Sequence, residues 1–330
     1  MDSSLRSATV PEPVVGIEIA DAGTRIAALV ETRQGIHTAT HRNPTPPAPE
    51  EAIGQIVGLV QRLTRDAGEP AAALGIAVSG VVDAERGVVH ALRYAPGWEE
   101  VALADGVAEA TGLPVRLDST TNAAALAEAM RGVGAAYRHI LYVLPAQSVT
   151  AAYVVGGRIL HGAHGMEGQL AHLRVRDEGP RCSCGAIGHV EPLASAQAIV
   201  RNMIGCASGS DASTAAMLRV SGGRAEAMSA AQVAQLAAEG EPAAVAVLTD
   251  ALDTLATALA CALALLDPDV VVLGGPLAQA ESWYFDQLRA RLSERRHPFA
   301  TPPLVAGALE PRSALLGARL LASRSLSEPA

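Results

Sequence analysis

The chain reads as an α/β protein of two domains facing each other across a cleft. Three observations predict this. Strand-like pairs followed by alternating helix and strand patterns occur twice along the 330 residues. A buried parallel-type strand, Val270-Val-Val-Leu273, runs straight into Gly274-Gly275. A short His/Cys cluster in the second half has the donor set of a closed metal site.

The first cycle opens with the apolar runs Val14 to Ala20 and Thr24 to Glu31, joined by a turn at Asp21-Ala22-Gly23. Ile36 to Arg42 adds a third strand, and Asn43 to Pro49 is a proline-rich loop. Ile53, Ile56, Val57, Val60 and Leu63 recur at helical spacing between Glu50 and Asp66. Ala73 to Val78 is a buried strand. The second cycle begins with the strand Pro114 to Asp118 and the alanine-rich helix Asn122 to Met130. Strands at His139 to Leu144 and Thr150 to Val155 follow. Ser195 to Ile204, Ala230 to Ala238, Glu241 to Leu266 and Ser282 to Arg296 are helical by period, and Gly205 to Gly223 reads as a flexible surface segment. A strand at Leu304 to Ala308 and a helix at Ser313 to Ser323 close the chain. Residues 1–13 form a polar tail expected to be disordered. The first lobe is 14–118, completed by the terminal helix 311–325, and the second is 119–310, carrying the metal loop 172–191.

His172, Cys182, Cys184 and His189 follow the spacing H-x9-C-x-C-x4-H, with Gly185 and Gly188 between the last pair. Zn²⁺ accepts thiolate and imidazole together in a tetrahedron, and the glycines let the loop turn back on itself. Four protein donors leave no place for water, so the zinc is structural.

With 25 basic and 34 acidic residues the net charge is −9, and aromatics make up 3% of the chain. That balance disfavours direct nucleic acid binding, which needs cations for phosphates and rings for bases. Cys206 and Cys261 lie in apolar helical patterns and read as small buried hydrophobes. No signal-peptide core precedes Val14, and the longest apolar run, Leu255 to Leu266, is short of the ~20 residues a membrane span requires. A cytoplasmic protein without a membrane partner is expected.

Several segments carry a resemblance: Gly75-Ile-Ala-Val-Ser-Gly-Val-Val-Asp83, Ala95-Pro-Gly-Trp98, Asn122-Ala-Ala-Ala-Leu-Ala-Glu128 and Gly156-Gly-Arg-Ile-Leu-His-Gly162. The metal segment and Leu266-Asp-Pro-Asp-Val-Val-Val-Leu-Gly-Gly275 complete it. Their order and spacing resemble the ROK family, sugar kinases and sugar-responsive repressors on the two-lobed actin-like ATPase (ribonuclease H-like) fold. The resemblance runs from about Val14 to about Ala322. It implies a homodimer that binds a sugar or sugar derivative. Family repressors place a winged helix-turn-helix ahead of this fold; here the fold begins near Val14, and no such module is expected.

The resemblance also identifies what this chain lacks. Active kinases carry E-N-D-A-N, whose aspartate is the general base; here the stretch reads Asp118-Ser-Thr-Thr-Asn122, with Thr120 at the base position. A positioned base is worth about 10²–10⁴ in rate. The second phosphate loop, G-T-G-I-G-G-G, is Ala146-Gln-Ser-Val-Thr-Ala-Ala152, without glycine. The first, D-I-G-G-T-K, becomes the longer Glu18-Ile-Ala-Asp-Ala-Gly-Thr-Arg25. Remnants of a nucleotide site are Gly23, Thr24, Gly274 and Gly275, so ATP and Mg²⁺ binding are doubtful; for Gly274-Gly275 a tight strand exit is the equal alternative. The family's E-x-G-H sugar motif appears as Gln169-Leu-Ala-His172, Glu191 matches the glutamate after the metal loop, and Ser119 replaces an asparagine. Ser119, Thr120, Gln169, His172 and Glu191 are the candidate sugar contacts. The last metal ligand, His189, is usually cysteine in the family.

The expectation is a catalytically inactive sugar-binding regulator. Two alternatives stand beside it: an atypical sugar kinase using Asp118 or Asp21 as base, and a dimeric scaffold built on the Glu241–Leu266 helix.

Overall fold

Strand β1 (Val14–Ala20) is buried along its whole length, as a strand covered on both faces must be. It pairs antiparallel with β2 (Arg25–Thr32), which pairs with β3 (Gly35–Arg42), and parallel with β4 (Ala73–Val78). The computed structural model describes residues 13–32, 35–92, 95–275, 277, 282–295 and 301–327. Apart from Pro13, the expected N-terminal tail lies outside them. The chain divides into two compact units, Met1–Ala123 with Ala314–Ala330, and Ala124–Ser313.

In the first unit, helix α1 (Pro49–Ala67) packs Ile56, Val60 and Leu63 into the core, with proline in its first turn and left-handed Gly68 at its end. A three-stranded antiparallel sheet, β5 (Val81–Asp83), β6 (Val88–Ala91) and β7 (Glu99–Val101), follows β4. It was not apparent from the pattern, because its strands are too short to show alternation. Trp98 is fully buried beside it and donates its indole N–H to the Pro47 carbonyl at 2.8 Å. Helix α2 (Leu103–Thr111) leads to β8 (Val115–Ser119), which completes the sheet order β3-β2-β1-β4-β8.

Helix α3 (Thr120–Arg131) starts in the first unit and ends in the second. The second unit's sheet is built from β9 (His139–Pro145), β10 (Val149–Val155), β11 (Arg158–Ile159), β12 (Val270–Leu273) and β13 (Leu304–Ala306), in the order β11-β10-β9-β12-β13. Helices α4 (Glu191–Ala194), α5 (Ala196–Ala207), α6 (Asp211–Val220), α7 (Ala230–Ala238), α8 (Pro242–Leu266) and α9 (Ser282–Glu294) belong to this unit. Helix α8 is long and apolar enough, by length and composition alone, to cross a membrane, but twelve of its residues are buried inside the unit. Its apolar length is spent on the core.

The terminal helix α10 (Ser313–Ser327) returns to the first sheet. Gly16 and Gly75 are register partners on β1 and β4. A Cβ at Gly16 would lie 2.5 Å from the Leu315 carbonyl oxygen, and one at Gly75 only 1.9 Å from that of Ala318. The two bare Cα atoms are what let the helix backbone descend onto the strands.

Two expectations are corrected. Gly205 to Gly223 is not a plain surface loop: it contains α6, capped by the Ser210 hydroxyl on the Ser213 N–H and anchored by buried Met217. Cys206 and Cys261 are exposed free thiols, not buried hydrophobes. On α8 the buried stripe passes through Ala258, Leu259, Ala262 and Leu263, which turns Cys261 outward.

Candidate functional site

The His/Cys loop folds by short backbone bridges. Arg174 pairs with His189 and Arg181 with Ile187, and the Val190 N–H bonds the Leu173 carbonyl at 3.2 Å. Arg176 ties the loop base to α8, reaching the Asp250 carboxylate at 2.5 Å and the Thr254 hydroxyl at 2.6 Å. Gly188, at φ +79°, sits against Arg176: a Cβ there would meet its carbonyl oxygen at 1.8 Å. Gly188→Ala is therefore expected to displace the loop and lower the metal content of the purified protein, as measured by mass spectrometry of the bound element; full metal content would show that this packing is dispensable.

These contacts bring one donor atom each of His172, Cys182, Cys184 and His189 within 4.8 Å of one another. Cys182 Sγ is 3.6 Å from His172 Nδ1, and Cys184 Sγ is 3.3 Å from His189 Nδ1. Two thiols and two imidazoles at such separations fit a tetrahedral ion with metal–sulfur bonds of about 2.3 Å and metal–nitrogen bonds of about 2.0 Å. Without an ion, burial first, then the Cys184 side chain and the Glu191 carboxylate, push the Cys182 thiol pKa up; a metal would supply the charge that makes it a thiolate. Gln169 precedes the one-turn helix Leu170–His172, and the adjacent Gly168 carbonyl accepts the Ala151 N–H at 2.7 Å, securing this segment to β10.

Glu191 opens α4 and is 6% exposed. Its Oε1 accepts the Ser183 hydroxyl at 2.5 Å and its Oε2 that of Ser148 at 2.8 Å. Ser148 belongs to the tight turn between β9 and β10, closed by the Ala146 N–H on the Ser148 carbonyl. Neither serine was singled out from the sequence as a partner of Glu191, since the three positions span forty-three residues.

In the first unit, Ser119 and Thr120 stand at the junction of β8 and α3. The Ser119 hydroxyl caps the Asn122 N–H at 3.1 Å. Asp118 is buried, its Oδ1 accepting the Ser119 N–H and the Asn122 side-chain amide, both at 2.7 Å. Buried Thr120 brings a hydroxyl and no carboxylate to the first helical position.

The turn after β1 is a one-turn 3-10 helix, Asp21–Gly23, with Asp21 itself at φ 52°. The Thr24 hydroxyl returns to the Asp21 carbonyl at 2.7 Å, and Gly23 is buried. Arg25 spans the turn, its Nη1 on Glu18 Oε2 and its Nε on Asp21 Oδ2, each at 3.0 Å. Burial works to lower the guanidinium pKa, but Glu18 and then Asp21 outweigh it and hold the charge in place. At the end of β12, the Tyr142 hydroxyl lies 1.8 Å from where a Cβ on Gly274 would stand, and the Gly275 N–H goes to Glu310 Oε1 at 2.7 Å. Tyr142 donates to the same oxygen at 2.9 Å.

The mixed α/β fold, with its two five-stranded sheets, is similar to that of the actin-like sugar kinases of the ROK class. The ROK family model matches residues 14–325, and the chain belongs to that family. It is 28% identical over 277 residues to a glucokinase of Streptomyces coelicolor, covering 83% of this chain and 85% of the relative. A putative xylose repressor of Caldicellulosiruptor is 30% identical over 224 residues, 67% of this chain and 54% of that protein. Among solved structures, a Streptomyces griseus ROK glucokinase in complex with glucose and AMPPNP superposes with a TM-score of 0.80 at 26% identity, over 94% of this chain and 99% of that one.

Proposed function

We propose that this protein is a ROK sugar-binding regulator that does not transfer phosphate. The observation that carries the reading is Thr120, a hydroxyl where the resemblance puts the general base; it has no accessible basic form near neutrality. Asp118, the acid two residues before it in sequence, already accepts two hydrogen bonds through one oxygen. Phosphoryl transfer rests on positioning and electrostatic stabilisation. Here the Arg25 guanidinium lies on both acids of the first loop, so Mg²⁺ would have to displace a resident cation. The Gly275 N–H is likewise committed to Glu310.

The ligand in this reading is a sugar, for which Gln169, His172 and Glu191 of the second unit offer amide, imidazole and carboxylate groups, and Ser119 and Thr120 of the first unit offer hydroxyls. His172, Cys182, Cys184 and His189 would hold a structural Zn²⁺, whose chemistry is to set the loop that presents Gln169 and Glu191. Glutamine at 169 keeps an acceptor oxygen and adds donors, so the hydroxyl pattern recognised would differ from that of a glutamate.

The test is ADP release from MgATP by zinc-loaded protein across hexoses and N-acetylhexosamines, alongside calorimetric titration of the same sugars. Binding without turnover is expected; sugar-dependent ADP release at an ordinary kinase rate sinks the proposal. The glucokinase relatives favour a second reading, an ATP-dependent sugar kinase with Asp118 as base. There, Asp118→Asn would abolish turnover while leaving sugar affinity in place.

A further inference from the structure

The turn Ala146–Ser148 stands where the family resemblance places a glycine-rich phosphate loop, and Ser148 occupies a glycine position of that pattern. A glycine there has no side chain to offer. In this chain the Ser148 hydroxyl reaches Glu191 Oε2 at 2.8 Å, while the other oxygen takes the Ser183 hydroxyl at 2.5 Å. Ser183 lies between Cys182 and Cys184, and Cys182 Sγ is itself 3.7 Å from Glu191 Oε1. The turn does not float: the Ala146 carbonyl accepts the Gln197 N–H from the start of α5 at 3.3 Å. A hydrogen-bonded chain thus runs from an anchored turn, through one buried carboxylate, to the residue between the two thiols.

We propose that Ser148 is a positioning residue for the metal loop: with Ser183 it clamps the Glu191 carboxylate from both sides, and the clamp seats the Cys182–Cys184 pair. The carboxylate is the shared element. Each hydroxyl fixes one oxygen, so losing either lets Glu191 rotate and releases the other. The turn then serves the metal loop and not a phosphate. The inference deepens the sugar reading, because Glu191 is also a proposed sugar contact, but it does not need a sugar to be tested.

The experiment measures zinc transfer from loaded protein to 4-(2-pyridylazo)resorcinol for wild type, Ser148→Ala, Ser183→Ala, the double variant and Ser148→Thr. Ser148→Ala should speed transfer by about tenfold, the scale of one hydrogen bond to a charged group. Ser183→Ala should do the same, and the double variant should be little faster than either single one, because both act through Glu191. Ser148→Thr, which keeps the hydroxyl, should restore the wild-type rate. A Ser148→Ala rate within twofold of wild type overturns the proposal. So do single effects that multiply in the double variant, and a wild-type protein that takes up no zinc. D-glucose titrated in parallel separates the two ideas: coupling in the zinc cycle without glucose binding leaves the clamp standing and counts against the sugar reading. Glucose binding with multiplicative effects does the reverse.

Discussion

Chelating the metal from zinc-loaded protein is expected to expose the amides of residues 177–187 to rapid hydrogen exchange while the sheets stay protected. The loop's own packing is slight. Leu173 is 36% exposed and Ile187 41%, and of the four metal-site side chains only that of Cys182 is buried. Its backbone bonds are short-range bridges. Against this, zinc binding by a Cys/His set supplies apparent folding free energy of about 10 kcal/mol near neutral pH, far more than those contacts contribute. The base of the loop should respond less, because Arg176 holds it to α8 through Asp250 and Thr254. Exchange measured by mass spectrometry before and after chelation tests this. Equal protection in both states would mean that the loop is held by packing and that the four donors are incidental neighbours.

The second large effect is expected at Glu128, a fully buried carboxylate in the last turns of α3. Its Oε2 accepts the Val133 N–H at 3.1 Å and its Oε1 the Leu309 N–H at 2.8 Å, joining two segments 181 positions apart in sequence from Glu128 to Leu309. Glu128→Ala removes both partners of these half-buried donors, at about 1–2 kcal/mol each, so a loss of about 3 kcal/mol is expected in urea unfolding. Glu128→Gln should lose less, since one oxygen remains, but its NH₂ must then face an N–H.

The pH dependence has a definite sign. Burial, the largest influence, raises the Glu128 pKa, against the pull of the Leu309 and Val133 N–H groups. The native state therefore holds this proton more tightly than the unfolded chain. The stability it contributes is fully present below the ordinary carboxylate pKa and is lost as pH rises through the native value. The advantage of wild type over Glu128→Gln should shrink across that window; an advantage that grows with pH would contradict the assignment.

Much of the site was legible because it is local. The four side chains of the His/Cys cluster fall within one loop, and glycines at 185 and 188 announce its reversal. The long strands and helices were readable from periodicity, which reports one buried face at a time. The reading of Thr120 likewise rests on adjacent residues, and the MgATP assay is what tests it. The small sheet of β5 to β7 was not, since strands of three or four residues carry no period. Cys206 and Cys261 were misjudged because an apolar pattern on a helix does not say where the stripe ends.

By itself, then, the sequence determined the α/β class, the family and the spacing of the His/Cys cluster, all of which depend on residue type and near-neighbour spacing. The tertiary structure alone decided who neutralises whom. Arg25 closing on Glu18 and Asp21, Ser148 and Ser183 meeting on Glu191, and Glu128 receiving the Leu309 N–H are decisions of packing. The reason is physical: a hydrogen bond or ion pair depends on separations of about 3 Å in space, and chain distance carries no information about them once the chain has turned back.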